Sequence, residues 1–301
     1  MWLKLLALTS VGHAGRPRMS ALSFERRLRF GAARPAPYPC RSGREQAMYD
    51  PVFNDALQWM WGDGFLAPGG PAEVAELLKP VSIAGAHVLD VGSGLGAIDV
   101  LLVNDHGAAT VVGVDVEAHL IDASVERAAN AGLAEQVTYR LIEAGPLPFA
   151  DAGFDVVFTK DAIVHIPEKQ PFYEEVLRVL APGGLFVGSD WLRGGPETMT
   201  DVSRRWLDVV HLNFEMQDLD HTSEAIAAAG FTDVSLRDRN DWYQDLVVEE
   251  IASLSGDRYD GLVELIGEEQ AAYRRESSLL KQQVIDIGFL RPTHFVARKA
   301  A

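Results

Sequence analysis

The stretch HVLDVGSGLGA, residues 87–97, decides the fold class of this chain. It begins with a mostly apolar run, which is typical of a buried parallel strand, and continues with Gly92, Gly94 and Gly96. Glycine has no Cβ, so this turn can adopt left-handed dihedrals and bring the backbone against a ligand. Gly92, Gly94 and Ala97 also satisfy the G-x-G-x-x-G/A pattern of dinucleotide-binding turns. We predict a strand that turns into a helix at a nucleotide-like ligand, and a tight turn without a ligand is the alternative.

A second apolar run, TVVGVDV at residues 110–116, predicts the next buried strand. It contains Asp115, 21 residues after Gly94. In nucleotide-binding βαβ units, an acid at this place accepts hydrogen bonds from the ribose hydroxyls. The two features together favour a bound nucleoside over an empty turn.

Strand-like and helix-like segments alternate along the rest of the chain, which indicates a doubly wound α/β fold. We predict a Rossmann-like, seven-stranded sheet with further strands at residues 136–143, 154–160, 185–189, 233–236 and 294–299. The motif APGG, residues 181–184, is expected to end the helix before the fifth strand, and residues 196–214 have a helical pattern. Residues 242–285 are largely helical and acidic in pattern, so we expect a helical cap over the crevice at the strand ends.

Charge is distributed unevenly along the 301 residues, whose net charge is −16. Residues 1–44 hold nine Lys or Arg and one acid, so the remainder carries a net charge of −24. Such an acidic body repels phosphate backbones, which argues against a nucleic-acid partner. No apolar run approaches the roughly 20 residues of a membrane helix, so we expect no membrane partner.

The first 45 residues are basic, proline-containing and without a sustained period. We interpret them as a disordered extension of a single domain that spans residues 46–301, and an organelle-targeting signal is the alternative. The one cysteine, Cys40, lies in this extension, so nothing indicates an oxidising compartment. We expect a cytoplasmic protein that is a monomer or a homodimer.

Four elements together resemble a class I S-adenosylmethionine-dependent methyltransferase: VLDVGSGLG (88–96), Asp115, EAGPLPFADAGFD (143–155) and LAPGG (180–184). The resemblance implies that S-adenosylmethionine is the methyl donor and S-adenosylhomocysteine the product. It assigns Asp90, Gly92 and Gly94 to the methionine part of the donor, and it assigns Asp115 to the ribose and Glu143 to the adenine amine. Further donor contacts are expected from Phe65, Leu66, Val116, Ala144 and Lys160.

A closer resemblance is to phosphoethanolamine N-methyltransferases and related small-amine N-methyltransferases. It rests on WGDGFLAPGG (61–70), KDAIVHI (160–166) and DWYQDLVVEE (241–250). It implies that Tyr49 and His165 form a catalytic pair and that Asp161 anchors the substrate ammonium.

The chain departs from that family where a phosphorylated substrate would bind. The family's tyrosines and arginine after the fifth strand are replaced, and Leu57 stands where the family has a tyrosine. Lys281 matches a phosphate-contacting lysine. The predicted acceptor site therefore has few phosphate donors, and its expected residues are Trp61, Trp191, Phe214 and Lys281.

These observations predict an enzyme that methylates the nitrogen of a small amine, either phosphoethanolamine-like or derived from an amino acid. The alternatives are an O-, S- or C-methyltransferase and a non-catalytic S-adenosylmethionine-binding protein. We expect no metal, because His211, His221 and His294 lack ligand spacing. Glu249 and Glu250 are expected on a solvated helix face.

Overall fold

The computed structural model describes residues 49–210 and 214–301. The extension predicted for residues 1–45 lies outside these ranges. None of the helices within them is long and apolar enough to cross a membrane.

One mixed sheet forms the centre of the described part of the chain. Its strands are β1 (His87–Val91), β2 (Thr110–Asp115), β3 (Val137–Leu141), β4 (Phe154–Lys160), β5 (Leu180–Arg193), β6 (Phe231–Asp238) and β7 (Leu290–Lys299). Their order is β3-β2-β1-β4-β5-β7-β6, with β1 to β5 parallel and β7 antiparallel to both of its neighbours. The predicted seven-stranded α/β sheet is confirmed. Because β1, β2 and β4 run in parallel, their carboxyl ends meet at one edge.

Helices cover both faces of this sheet. They are α1 (Pro51–Trp61), α2 (Gly70–Leu78), α3 (Ala97–Asn104), α4 (Ala118–Asn130), α5 (Lys169–Val179), α6 (Asp201–Val210), α7 (Leu219–Ala228), α8 (Asn240–Ser253), α9 (Gly256–Ile266) and α10 (Glu268–Asp286). Successive strand residues point to opposite faces, so Val88 packs with α2 and α3 while Leu89 packs with α5 and α7. Burial on both faces explains why these strands read as continuous apolar runs.

The segment expected to form a cap is helical. Helices α8, α9 and α10 cover residues 240–286, and α10 packs against α6 and α8. A separate apolar cluster holds this part together, with Trp206 from α6, Tyr243 from α8 and Val284 from α10 buried in it. These helices therefore have a core of their own beside the sheet.

Three predicted boundaries are wrong at the fifth strand and the helix that follows it. The motif APGG does not precede the strand, because β5 already begins at Leu180 and continues to Arg193. Its second half pairs with β7 as far as Leu290, and this antiparallel pairing extends the strand beyond the predicted end at residue 189. The helix predicted from residue 196 begins only at Asp201, after a short 3-10 helix at Pro196–Thr198. The Thr200 hydroxyl accepts the Ser203 N–H at 3.4 Å, as an N-cap does.

Candidate active site

A large cavity of about 480 Å³ opens where β1, β2 and β4 end. Side chains and backbone from the glycine turn and from the ends of β2 and β4 line it. Of the residues expected to bind the donor, the structure brings eight to this cavity: Leu66, Gly92, Gly94, Asp115, Val116, Glu143, Ala144 and Lys160. The cavity thus combines backbone, several acidic side chains and apolar faces.

The glycine turn fits tightly between its neighbours. Gly92 has φ +81°, and a Cβ there would lie 2.4 Å from the Cβ of Ala162. Gly94 has φ +55°, and its added Cβ would lie 3.3 Å from Leu66 Cδ1. Both positions have left-handed backbone, and at Gly92 a side chain would also collide with Ala162, so glycine is required at Gly92 and favoured at Gly94. Both glycines line the large cavity.

The Asp115 carboxylate is held in place by the backbone. Its Oδ2 accepts the Gly94 N–H at 3.0 Å, and its Oδ1 accepts the Glu117 N–H at 3.0 Å. The acid and the glycine turn are therefore one rigid unit, and the carboxylate faces the large cavity with remaining lone pairs.

Two expected donor contacts need correction. Phe65 is buried and, within the described residues, lines neither cavity of the site, so its neighbour Leu66 alone faces the ligand space. Asp90 is also buried, and its side chain points away from the large cavity towards Asp99 on α3. The alternation of strand residues explains this, because Val91 lines the cavity and the preceding residue faces the other way.

Asp90 and Asp99 form a buried carboxyl pair beneath the turn. In the described part of the chain, no group donates a hydrogen bond to either oxygen of Asp99 or to Oδ1 of Asp90. Because the two carboxyl groups face each other in a buried site, they can share a proton, and the nearby Tyr139 hydroxyl opposes part of the rise in the pKa of Asp99. Burial raises the pKa of Asp90 well above its usual range, and the facing Asp99 adds to this; burial likewise raises the pKa of Asp99 to about 7.

This pair predicts a loss of stability as pH rises. The folded protein keeps a proton that the unfolded chain releases near pH 4, so the stabilising contribution is full below that pH and is lost towards pH 7. Asp99→Asn removes one titrating group. We expect the free energy of unfolding to fall less between pH 4 and pH 8 in this variant than in the wild type, by about 1 to 3 kcal/mol. Urea unfolding at both pH values measures this, with the exposed Asp105→Asn as control. Equal pH dependence in wild type and Asp99→Asn would contradict the prediction.

A small cavity of about 70 Å³ adjoins the large one. Tyr49, Leu66, Ala67, Asp161 and His165 line both cavities and therefore stand at their junction. The remaining walls of the small cavity come from α1, β5, α6 and α10. Residues far apart in the sequence meet here.

Tyr49 and His165 are in direct contact at this junction. Tyr49 Oη lies 3.0 Å from His165 Nε2, and the two rings meet edge to face at 5.8 Å. Burial raises the pKa of Tyr49 above its usual range, and the negative charges of Asp115 and Asp161 add to this, so the phenol stays protonated. The backbone carbonyl of Tyr49 is held from two sides, by His119 Nε2 at 2.7 Å and by Asn54 Nδ2 at 3.1 Å.

Two buried side chains fix the loop that carries His165, a 3-10 turn at Ile163–His165. Asp190 Oδ1 accepts the Val164 N–H at 2.9 Å. Lys169 Nζ donates to the carbonyls of Ile163 and Ile166 at 2.8 and 3.0 Å. Neither Asp190 nor Lys169 is among the predicted site residues, although a polar residue at the end of an apolar strand is a signal for Asp190.

Asp161 is strained and internally paired. Its φ of +58° lies in the left-handed region, which is uncommon for a residue other than glycine. Its Oδ2 lies 2.6 Å from Lys160 Nζ, and its Oδ1 accepts the Ser189 hydroxyl at 2.7 Å. The carboxylate reaches both cavities with its charge already balanced by Lys160.

The four residues expected to bind the acceptor all line the small cavity: Trp61, Trp191, Phe214 and Lys281. Trp191 stacks on Trp206 with ring centroids 6.3 Å apart, and the Phe214 ring lies 5.5 Å from that of His165. Aromatic faces therefore surround this side of the Tyr49–His165 pair.

Glu250 balances the charge of Lys281. The location predicted for Glu250, on a solvated helix face, is wrong. Glu250 is buried rather than solvated, because α8 packs on several sides within the cap. Its Oε2 forms an ion pair with Lys281 Nζ, and its Oε1 accepts the Trp61 indole N–H at 2.7 Å. Glu250 thus ties α1, α8 and α10 together behind the small cavity. Among the residues that the structure describes, no cluster of His, Cys, Asp or Glu could hold a metal ion.

Comparisons with known proteins agree with this architecture. The profile of the family described as Methyltransferase domain matches residues 83–243. Phosphoethanolamine N-methyltransferase 1 of Arabidopsis thaliana is 28% identical over 193 residues, which are 64% of this chain and 38% of that protein. Phosphoethanolamine N-methyltransferase 2 of Caenorhabditis elegans is 25% identical over 253 residues, or 82% of this chain and 57% of the relative.

A solved structure shares the fold. Phosphoethanolamine N-methyltransferase 2 of Haemonchus contortus, in complex with phosphomonomethylethanolamine and S-adenosylhomocysteine, superimposes with a TM-score of 0.77 at 23% identity. The match covers 84% of this chain and 59% of that one, so the chain spans well under two thirds of both this neighbour and the plant relative. Because the family profile matches more than half of its residues, the chain belongs to the methyltransferase domain family, in its class I, S-adenosylmethionine-dependent branch.

Proposed function

We propose that this protein transfers a methyl group from S-adenosylmethionine to the nitrogen of a small amine. The observation that carries the proposal is the contact between Tyr49 Oη and His165 Nε2, 3.0 Å long, at the junction of a large and a small cavity. A proton acceptor at such a junction is suited to an acceptor amine held in one cavity and a methyl donor held in the other.

The residues of the large cavity fit S-adenosylmethionine. The backbone of Gly92 and Gly94 lines this cavity, and the Asp115 carboxylate is fixed at the end of β2, where ribose hydroxyls bind in this fold. Glu143 and Ala144 line the far end, where they would bind the adenine, and Leu66 would cover the nucleoside. When bound, the donor supplies an electrophilic methyl group on a sulfonium.

The protein's own contribution is to prepare and orient the acceptor. An amine attacks only through a free lone pair, so an incoming ammonium must first lose a proton. Histidine is the side chain whose ordinary pKa lies nearest neutrality, and we assign the proton acceptor role to His165. Tyr49, protonated and anchored through its backbone carbonyl, would hold the imidazole in one orientation by its hydrogen bond.

Electrostatics at the junction suit a nitrogen that gains positive charge. The faces of Phe214 and Trp191 lie around the small cavity, and a cation above an aromatic face gains about 0.5 to 2 kcal/mol. The Asp161 carboxylate also reaches this cavity, but Lys160 balances its charge, so its attraction for a cation is reduced. Alignment of the reacting atoms at about 3 to 3.5 Å supplies much of the remaining acceleration. The cation–π attraction favours a nitrogen that gains positive charge, whereas alignment accelerates transfer to any acceptor atom.

Product analysis tests this proposal. The full chain is incubated with methyl-labelled S-adenosylmethionine and a panel of amines, alcohols, thiols and activated carbon acids of similar size. We expect S-adenosylhomocysteine and label on nitrogen. Label on oxygen, sulfur or carbon would contradict the choice of acceptor atom, and donor binding without any turnover over the panel would contradict catalysis.

A further inference from the structure

We infer that the acceptor is an unphosphorylated amine, whose part remote from the nitrogen packs on aromatic surface instead of pairing with cations. This inference rests on the proposed function, since it concerns the ligand of the small cavity. It separates this chain from the relatives that are named for a phosphorylated substrate.

The wall of the small cavity is mainly apolar. Twelve of its lining residues have aromatic or aliphatic side chains, Phe53, Leu57, Trp191 and Phe214 among them, and the hydroxyls of Ser277 and Ser278 are neutral donors beside them. A phosphate group keeps its hydration in water, and burying it against such a surface without compensating donors is costly. A methylated amine gains from the same surface, through apolar contact and through cation–π attraction.

The cation best placed to receive a phosphate is already neutralised. Lys281 is 6% exposed and Glu250 is 4% exposed, and the two form a buried ion pair. Trp61, another donor of the wall, gives its indole N–H to the same carboxylate. Drawing Lys281 towards a ligand phosphate would leave Glu250 buried without its counter-ion, which opposes phosphate binding.

A second cation, Arg274, offers only one positive charge. Its guanidinium carbon lies 4.4 Å from the ring centroid of Phe53 and 4.7 Å from that of Tyr273. A phosphate ester carries close to two negative charges at neutral pH. The small cavity also has room for only about five water-sized groups, which suits a short amino alcohol better than its phosphate ester.

A matched pair of ligands tests the inference. N-methylethanolamine and phosphomonomethylethanolamine differ only in the phosphate group. We expect the wild-type chain, loaded with S-adenosylhomocysteine, to bind the alcohol at least tenfold more tightly than the ester in calorimetry. We also expect kcat/KM with S-adenosylmethionine to favour the alcohol by at least tenfold. An ester that binds as tightly as the alcohol, or more tightly, overturns the inference whether or not either ligand is methylated.

Glu250→Gln tests the neutralised lysine directly. It keeps the size of the side chain but removes the counter-charge, so Lys281 becomes available to an anion. We expect inorganic phosphate and the ester to raise the Tm of Glu250→Gln by several degrees more than that of the wild type. Glu249→Gln, the exposed neighbour on the same helix, is the control and should respond like the wild type. A Glu250→Gln variant that gains no phosphate response overturns the role assigned to the Lys281–Glu250 ion pair in excluding phosphate.

These readouts keep the two hypotheses apart. If no amine is methylated while the binding preference holds, the proposed function fails and the preference for an unphosphorylated ligand stands. If an amine is methylated but the ester is preferred, the proposed function stands and this inference fails.

Discussion

Replacing His165 by glutamine is expected to lower kcat by about 10²- to 10⁴-fold, the range that general base catalysis supplies. Glutamine can still hydrogen-bond Tyr49 Oη, which lies 3.0 Å from Nε2 in the wild type, but it cannot accept a proton near neutral pH. Steady-state turnover with the amine identified by product analysis measures the loss. Calorimetry with S-adenosylhomocysteine should show donor-site affinity within about threefold of the wild type, because His165 lies at the edge of the large cavity.

The pH profile separates a base from a structural residue. A variant without its base depends on amine that is already neutral in solution, so the activity of His165→Gln should rise continuously towards high pH. His221→Gln removes a solvent-exposed histidine and should leave turnover unchanged. Tyr49→Phe keeps the ring but loses the hydroxyl, and we expect a smaller loss than at His165. Full activity of His165→Gln would show that another group takes the proton.

The parts of the fold that follow from sequence are those governed by local pattern. The apolar runs of β1, β2 and β4 were predicted because parallel strands are buried on both faces. The glycine turn and Asp115 followed from the same reasoning, because strand ends fix where ligands bind. The boundaries of β5 did not follow, since its length depends on pairing with β7, about a hundred residues later.

The small cavity shows more clearly what local sequence patterns cannot predict. Its walls come from segments separated by more than two hundred residues, and no local period brings Glu250 beside Lys281. Helix α8 contacts other cap helices on several sides, so its sequence lacks a single apolar stripe. Without such a stripe, the sequence pattern favours a solvated position for Glu250. Asp99 escaped prediction for a related reason. A lone acid in a helix is usually exposed, and only the tertiary structure places it against Asp90.

Gly92→Ala is expected to destabilise the protein by about 2 to 5 kcal/mol. We also expect that the variant no longer binds S-adenosylhomocysteine at micromolar concentrations of the ligand. The alanine would have to adopt φ near +81°, and its Cβ would lie 2.4 Å from the Cβ of Ala162. Relief requires the loop after β4 to move, and that loop carries Asp161 on one side of Ala162 and leads to His165 on the other. Urea unfolding and calorimetry with S-adenosylhomocysteine measure the two effects.

Gly132→Ala separates dihedral strain from steric conflict. Gly132 has φ +72°, but nothing lies within 4 Å of an added Cβ. We expect this control to cost only about 1 to 2 kcal/mol and to leave donor affinity unchanged. The double variant Gly92→Ala/Ala162→Gly removes the colliding methyl. Its loss of unfolding free energy should therefore fall to that expected from the dihedral strain alone, and donor binding should recover. If Gly92→Ala lowers the free energy of unfolding no more than Gly132→Ala does, the close packing of Gly92 on Ala162 does not hold the glycine turn and the loop after β4 together.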